Sequence, residues 1–440
     1  MQEQKKILTI EKLGNDFEGV CYEKGKRCLV KGALPAEKVE VKEARKSGNI
    51  LVFNLAKVLT PSKYRVTNIC PHSEECGACD LLHICAEAQR KFKTDQVKRR
   101  LNEWRNVVED IEFVDGATRN KIQLSFKGSS ENIQIGFFNS DTHKVVDINS
   151  CKMHSEKAFS SIREALKRWC AKYGIVAYNP HRQRGNLRFC VVRLLGNSLL
   201  MTLVFFKESG IEGLAYLYSK LKENFDFVSL NVNINSQISN AVFDNAPTYL
   251  MGEKEIASAM LGVKFLCRAG DFLQTNTKIC EKIYSEVLQN IKGANSETVI
   301  DAYSGIGITS SLFAKNGLNV QSIEISENAV QTAKNTAKLN DVHDKISFHA
   351  GDFAEVISSI KIENKTSLFV DPPRAGLGEN VCKAILTKNI DQIIYLSCEL
   401  DTLLSDLQIL KTQYKVTKVK PYDMFMNTKH IETLVCLVKK

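Results

Sequence analysis

The sequence has no uninterrupted apolar run of the roughly 18 residues that a membrane-spanning helix needs. Its first residues, MQEQKKILTI, include neither the apolar segment nor the small-residue cleavage site of a signal peptide. Internal repeats and low-complexity stretches are also missing. The 14 cysteines, about 3% of 440 residues, are too sparse for a disulfide scaffold. We therefore expect a cytoplasmic protein without a membrane partner, whose cysteines are reduced, bind a metal or act in catalysis.

Length and composition indicate a globular protein of several domains. The chain has 440 residues, near three times a common domain of roughly 150, and its 44% hydrophobic and 25% charged residues are ordinary for folded proteins. The first 240 residues contain 38 Lys and Arg against 27 Asp and Glu, whereas the last 200 contain 22 against 23. The excess of positive charge in the first 240 residues favours binding of a polyanion such as RNA by that part of the chain. A solvated, lysine-rich surface would give the same excess.

The order of sequence patterns predicts three domains. Residues 1–60 contain short, partly alternating strands separated by glycines, which is typical of a small β-barrel. Residues 61–245 begin with a cysteine-rich segment and continue with strands such as KIQLSFK and RFCVVRLL around one helix near 155–172. Residues 246–440 alternate apolar strands with amphipathic helices from about residue 277, which predicts a mostly parallel α/β sheet.

A further helix is predicted at 86–109. Its apolar residues Val97, Leu101, Trp104 and Val108 recur at helical spacing and define one face. We expect this helix to pack across onto the C-terminal domain.

A glycine turn follows the first strand of the C-terminal α/β pattern. The segment DAYSGIG, residues 301–307, places Gly305 and Gly307 at a strand–helix turn, where a ligand can approach the backbone closely. Glu324 ends the next strand, 19 positions after Gly305, and is placed to accept hydrogen bonds from ribose hydroxyls. Plain turn glycines are the alternative. The three-glycine fingerprint of NAD sites is missing, so a cofactor without a pyrophosphate, such as S-adenosylmethionine (SAM), is favoured.

Three further elements carry candidate chemistry. The segment DPPR, residues 371–374, ends a strand, and its prolines predict a rigid turn at the carboxyl edge of the sheet. Cys398 ends another strand and is nucleophilic once ionised, although a free cysteine is more often a buried packing residue. Near the C-terminus, either His430 or Glu432 has the chemistry of a general base.

These elements together resemble a known family. The DPPR, Ser-Cys and Thr-x-His-x-Glu elements occur in the order found in the RNA uridine-5-methyltransferases, and FLQTN at 272–276 looks like the family's F-x-Q-x-N element. The resemblance covers nearly the whole chain and is strongest for the subgroup with an N-terminal TRAM barrel and an iron–sulfur cluster. It implies a SAM pocket formed by Gln274, Tyr303, Glu324 and Asp371.

The resemblance also implies a covalent mechanism. Cys398 would add to C6 of uracil, C5 would accept the methyl group, and Glu432 would remove the C5 proton. The uridine would have to leave its stack to reach these groups. One departure lies beside the nucleophile, where Glu399–Leu400 replaces the family's usual Asn-Pro.

Four cysteines match the family's cluster ligands. Cys70, Cys76 and Cys79 are closely spaced, and Cys151 follows a segment, including His143, that resembles the one before the family's fourth cysteine. Four thiolates suit a [4Fe–4S] cluster or structural zinc, and spacing alone favours zinc because zinc is the commoner metal. The resemblance implies iron–sulfur.

The expected fold is therefore a Rossmann-like SAM-dependent methyltransferase domain, a central mixed β domain and an N-terminal OB-like TRAM β-barrel. The expected function is SAM-dependent methylation of uridine C5 in 23S ribosomal RNA by a monomer. A transfer RNA uridine-5-methyltransferase, and a SAM-binding RNA-binding or assembly factor, are the alternatives.

Overall fold

Most of the chain is described by the computed structural model. The described residues do not include residues 1–5 and 238–240 of the predicted domains. They also do not include His143, which belongs to the segment before Cys151. Across the described part of the chain, no helix combines the length and the apolar character needed to cross a membrane. The described residues are 6–68, 70–116, 119–142, 144–237, 241–362 and 364–440.

The N-terminal residues form a six-stranded sheet. Its spatial order is β1-β5-β6-β4-β3-β2, in which β4 and β6 are parallel and the other neighbours are antiparallel. Leu8, Cys28, Val39 and Phe53 are buried in its core. The strands are β1 (Lys6–Thr9), β2 (Lys12–Leu13), β3 (Gly19–Glu23), β4 (Lys26–Val30), β5 (Lys38–Ser47) and β6 (Ile50–Thr60).

The predicted helix at 86–109 is wrong in length. Helix α1 (Ala86–Arg100) ends at Leu101, whose φ of −97° and ψ of 46° leave the helical region, and a 3₁₀-helix (Asn102–Val107) follows. Val97 and Leu101 are fully buried in the core cluster that covers one face of the C-terminal sheet. The apolar spacing continued across the bend because both segments pack on the same core, so the pattern alone suggested one helix.

The central region is a seven-stranded mixed sheet with two helices. The spatial order of the strands is β13-β12-β11-β10-β7-β8-β9, and Trp169 of the helix predicted near 155–172 is fully buried in its core. β13 joins this sheet from beyond residue 245. The elements are β7 (Lys121–Lys127), β8 (Gln134–Phe138), β9 (Val145–Asp147), α2 (Glu156–Tyr173), β10 (Leu187–Leu195), β11 (Ser198–Phe205), α3 (Leu214–Lys222), β12 (Phe227–Ile234) and β13 (Thr248–Gly252).

A two-stranded hairpin, β14 (Ile256–Met260) and β15 (Val263–Cys267), leads into the C-terminal α/β domain. The alternation of helices and strands begins with a helix at Thr277, where the sequence predicts it. The elements are α4 (Thr277–Gly293), β16 (Thr298–Ala302), α5 (Ile308–Lys315), β17 (Asn319–Glu324), α6 (Glu327–Leu339), a 3₁₀-helix (His343–Lys345), β18 (Ile346–Ala350), α7 (Phe353–Ser359), β19 (Thr366–Val370), α8 (Gly378–Leu386), β20 (Gln392–Ser397), α9 (Leu400–Leu410), β21 (Tyr414–Tyr422) and β22 (Glu432–Lys439).

The seven strands of this sheet run in the order β18-β17-β16-β19-β20-β22-β21. Neighbours from β18 to β20 are parallel, whereas β22 is antiparallel to both β20 and β21. The strands are buried on both faces of the sheet because helices cover both faces. The order reverses between β16 and β19, and the carboxyl edge at such a reversal is where ligands bind in open α/β sheets.

Candidate active site

The carboxyl edge of the C-terminal sheet gathers most of the predicted site residues. Tyr303 follows β16, Asp371 follows β19 and Cys398 follows β20. Because these strands are neighbours or next-neighbours and parallel, their ends meet on one rim. Glu432 begins the antiparallel strand β22 and therefore lies at the same rim.

The glycine turn after β16 is built from unusual backbone conformations. Gly305 and Gly307 have φ values of 55° and 78°, and Tyr303 has a φ of 61°, which is uncommon for a residue with a side chain. A Cβ on Gly307 would lie 2.7 Å from the Cβ of Ala333, whereas Gly305 faces open space. Gly307 therefore permits close helix packing, and Gly305 leaves room for a ligand.

Glu324 braces this turn. Its Oε2 accepts a hydrogen bond from the Gly305 amide at 3.0 Å, and its Oε1 accepts one from the Ser326 amide at 2.9 Å. These bonds fix the carboxylate at the end of β17 beside a cavity of about 490 Å³ that Gly305, Ser326 and Phe272 also line. The carboxylate that the sequence assigned to ribose hydroxyls is thus held at a cavity wall.

A second, adjoining cavity contains the other three predicted cofactor residues, Gln274, Tyr303 and Asp371. Gln274 Nε2 donates a hydrogen bond to Asp371 Oδ2 at 3.1 Å. Both cavities share Phe272 and Gly305 in their walls. The four predicted residues therefore line two adjoining cavities, which together we call the SAM cleft.

Asp371 in the cleft wall and the buried Asp301 nearby, which does not line the cleft, have raised pKa values. Burial, together with Asp301, raises the pKa of Asp371 to about 7, against the opposing hydrogen bond from Gln274. Burial raises the pKa of Asp301 to about 6, although Thr309 and Ser310 donate hydrogen bonds to its Oδ2. Asp301 Oδ1 is buried without a partner. Such acids favour a cationic ligand, because a positive charge would offset the cost of burying their negative form.

Cys398 and Glu432 lie at the same end of two neighbouring strands. The antiparallel register of β20 and β22 ends with the pair Ser397 and Thr433, and Cys398 and Glu432 are the next residues on their two segments. The charge of Glu432 acts on the Cys398 thiol, so the two groups are near each other. By this register, the predicted alternative base, His430, lies two positions beyond Glu432.

The surroundings of this pair oppose ionisation of both groups. Burial, followed by the negative charge of Glu432, raises the pKa of Cys398 to about 11, and Arg374 acts in the opposite direction. Burial and Asp371 raise the pKa of Glu432 well above its ordinary value, again against Arg374. Arg374, the last residue of the DPPR element, is therefore the nearby cation that favours the charged form of both.

Hydrogen bonds and an ion pair connect the loop between β21 and β22 to helix α1. Lys93 of α1, which is fully buried, donates to Asp423 Oδ1 at 2.6 Å and to the Phe425 carbonyl at 3.3 Å. Gln89, one turn earlier, donates to Asn427 Oδ1 at 3.0 Å. Sequence reasoning did not single out Lys93, because a lysine in a charged helix is ordinarily solvated. These bonds fix the loop that leads to Glu432.

The four predicted cluster cysteines come together at the start of the central region. Cys70, Cys76, Cys79 and Cys151 are all half-buried. Burial raises the pKa values of Cys76, Cys79 and Cys151, that of Cys79 to about 12, and the neighbouring thiols of the set add to each shift whereas Arg119 opposes it. Within the described ranges, no group of three or more His, Cys, Asp or Glu side chains forms a ready site for a metal ion.

Comparison with known proteins agrees with this geometry. A model of the tRNA (uracil-5-)-methyltransferase family matches residues 119–440. The chain belongs to this family. An uncharacterized RNA methyltransferase of Clostridium tetani is 31% identical and one of Bacillus cereus is 32% identical, each over 98% of this chain and 95% of its own length.

A solved structure agrees over nearly the whole chain. The Pyrococcus abyssi tRNA (uracil-54, C5)-methyltransferase, crystallised with S-adenosyl-L-homocysteine, superposes with a TM-score of 0.80 at 25% identity, over 98% of this chain and 100% of its own. The chain is thus an RNA (uracil-5-)-methyltransferase that uses SAM and acts on RNA. The predictions of family, enzyme class and SAM are confirmed, and the assembly-factor alternative is not favoured.

Proposed function

We propose that this enzyme methylates C5 of a uridine through a covalent adduct on Cys398, with Glu432 as the base. The observation that supports the assignment most directly is the antiparallel register of β20 and β22, whose last pair, Ser397 and Thr433, is adjacent to both residues. No other cysteine is proposed for this role, because Cys398 is the one that follows a strand at this edge.

Each residue has a defined task in the proposed reaction. SAM supplies an electrophilic methyl group. The Cys398 thiolate, which Arg374 stabilises, adds to C6 of uracil and so makes C5 nucleophilic. After C5 has taken the methyl group, Glu432 removes the C5 proton, the C5–C6 double bond re-forms and the thiolate leaves. The raised pKa of Glu432 makes it a stronger base than an exposed carboxylate.

Radiolabelled SAM and an RNA substrate test this mechanism. We expect Cys398→Ala to lose turnover and Glu432→Gln to accumulate a protein–RNA adduct on a denaturing gel, since the adduct then keeps its C5 proton. Cys85→Ala is the matched control, because Cys85 is also half-buried but lies outside the proposed machinery. Full turnover by Cys398→Ala would remove it as the nucleophile, and full activity of Glu432→Gln without an adduct would remove Glu432 as the base.

We propose 23S ribosomal RNA as the substrate, on the family resemblance of the N-terminal sheet and the four cysteines. Transfer RNA is the second candidate, because the structural relative is named as a tRNA (uracil-54, C5)-methyltransferase. Mapping 5-methyluridine in both RNA classes from a deletion strain and its parent decides between them. Loss of the modification from 23S RNA alone is expected, whereas loss from transfer RNA alone would overturn the proposal.

We propose that Cys70, Cys76, Cys79 and Cys151 hold a [4Fe–4S] cluster that staples the segment before α1 to the central sheet. The thiols are close enough to influence one another's pKa values. Four thiolates suit a [4Fe–4S] cluster, and the family resemblance of the cysteine pattern favours it over zinc. Anaerobic protein should contain iron and acid-labile sulfide, Cys79→Ser should lose both, and Cys85→Ser should not. One zinc per chain without iron would refute the cluster.

We also propose that residues 1–60 are an OB-like TRAM barrel that binds RNA, that residues 61–245 carry the cluster and that residues 246–440 are the catalytic domain of a monomer. The basic composition of the first 240 residues supports RNA contacts there. Light scattering of the purified protein tests the monomer, and a dimer at micromolar concentration would contradict it.

A further inference from the structure

A groove lies between the central sheet and the catalytic domain. Its cavity of about 490 Å³ has walls from β7, from the segment after Asp371 and from the loop before Glu432. The lining residues that matter here are Arg119, Lys121, Asp80, Thr275, Arg374 and His430. We call this cavity the Lys121 groove.

The Lys121 groove has cations without carboxylate partners. Among the residues that the structure describes, Arg119, Lys121 and Arg374 make no ion pair, and Arg119 Nε is buried without an acceptor. Asp80 accepts a hydrogen bond from the Lys429 amide, and the Lys429 ammonium pairs with Asp16 at 2.7 Å. The groove therefore has an excess of positive charge in a partly desolvated place.

A second observation concerns the strand behind the groove. In the antiparallel pair of β7 and β10, Lys121 lies directly opposite Arg193, which is itself buried and donates to Asn120 Oδ1 at 3.0 Å. Burial and the Arg193 charge both lower the pKa of Lys121. Like charges placed directly opposite destabilise a sheet. Folding alone would favour a neutral residue at position 121.

The groove opens onto the active site. Thr275 follows Gln274 of the SAM cleft, and its Oγ1 is buried without a partner. Arg374 influences the pKa values of both Cys398 and Glu432. A ligand in the groove therefore touches chain segments that also form the catalytic rim.

We propose that the Lys121 groove binds backbone phosphate of the single-stranded RNA next to the flipped uridine, with Lys121 as the phosphate ligand. This inference rests on the proposed function, because it takes the uridine to enter at Cys398. Phosphate would supply the negative charge that faces Lys121 from none of the described residues named as acting on it, and its contacts position the strand without reading its sequence.

The salt dependence of RNA binding tests the groove. The probe is a labelled oligouridylate of about 12 nucleotides, and its dissociation constant is measured from low to high salt with S-adenosylhomocysteine present. For a lost single-strand phosphate contact, we expect Lys121→Gln to reduce the slope of log K against log salt by about 0.7 and to weaken binding about fivefold at 0.1 M salt. Lys121→Arg should retain the slope.

Controls separate binding from folding. Lys338→Gln is the matched substitution, because Lys338 is an exposed lysine in the last turn of α6 and does not line the groove; it should leave the slope unchanged. Lys121→Gln should also raise the melting temperature by relieving the repulsion with Arg193. An unchanged slope for Lys121→Gln, or an equal loss for Lys338→Gln, would overturn the proposal.

The outcome for the groove is separable from that for the proposed function. If the wild type methylates RNA at uridine C5 and Lys121→Gln keeps the wild-type slope, the groove proposal alone fails. If Lys121→Gln loses slope but Cys398→Ala retains turnover, the phosphate site stands and the proposed mechanism fails. Equilibrium dialysis with SAM should give the same affinity for the wild type and Lys121→Gln, because Lys121 does not line the SAM cleft.

Discussion

The SAM cleft and the Lys121 groove carry opposite charges. The cleft is lined or backed by the buried acids Asp301 and Asp371 with raised pKa values, whereas the groove has Arg119 and Lys121 without carboxylate partners. A methyl donor with a positive sulfonium suits the first, and an RNA backbone suits the second. Charges from both regions act on Cys398, because Asp371 of the cleft raises its pKa and Arg374 of the groove lowers it. The methyl donor and the RNA can therefore bind at one rim of the sheet, and the charge of each site disfavours the ligand of the other site.

The comparison of the cleft with the groove implies that a buried charged side chain needs a ligand or a protein partner of opposite charge. The largest expected effect is at Lys93, whose ammonium is fully buried with Asp423. We expect Lys93→Met to lower the free energy of unfolding by about 3–5 kcal/mol, because it leaves the carboxylate buried and unpaired. Urea denaturation measures this loss.

The double variant Lys93→Met/Asp423→Leu should recover most of the lost stability, since it removes both buried charges. It should nevertheless keep a lower kcat, because the loop before Glu432 loses a fastening to α1. Equal destabilisation of the single and double variants would show that packing, and not the uncompensated charge, determines the loss.

The acids of the SAM cleft predict a pH dependence of stability. The pKa of Asp371 is raised to about 7, so its contribution is fully present below the ordinary pKa of about 4 and is lost as the pH rises through about 7. The wild type should lose on the order of a few kcal/mol of its free energy of unfolding between those two pH values. Asp371→Asn should not show this loss, because asparagine does not ionise. Urea midpoints at pH 5 and pH 8 should therefore differ less in the variant than in the wild type, without SAM. An equal difference in both would contradict the raised pKa.

Much of the catalytic rim was predictable because its signals are local. Strand ends and turn residues identified Asp371 and Cys398, and helical periodicity identified α2 and α4. The helix α3 and the end of α1 at Leu101 were missed, because the first has a short, ambiguous apolar run and the second depends on packing.

Features that join distant segments could not be predicted. The Lys93–Asp423 pair spans 330 residues, and the repulsion between Lys121 and Arg193 exists only in the register of β7 with β10. Neither residue type is unusual in its own segment. The roles of Cys398 and Glu432 and the iron–sulfur cluster stay predictions.

The smallest expected effect tests whether the two regions act separately on Cys398. Arg374 lowers the pKa of Cys398, so Arg374→Gln should raise that pKa and slow alkylation by iodoacetamide roughly two- to tenfold at pH 8.5. The rate is followed by mass spectrometry of the Cys398 peptide. Lys121→Gln should not change it, since Lys121 is not among the charges that act on this thiol. Equal slowing in both variants would mean that the groove's charge reaches the nucleophile, and the separation of the two regions would fail.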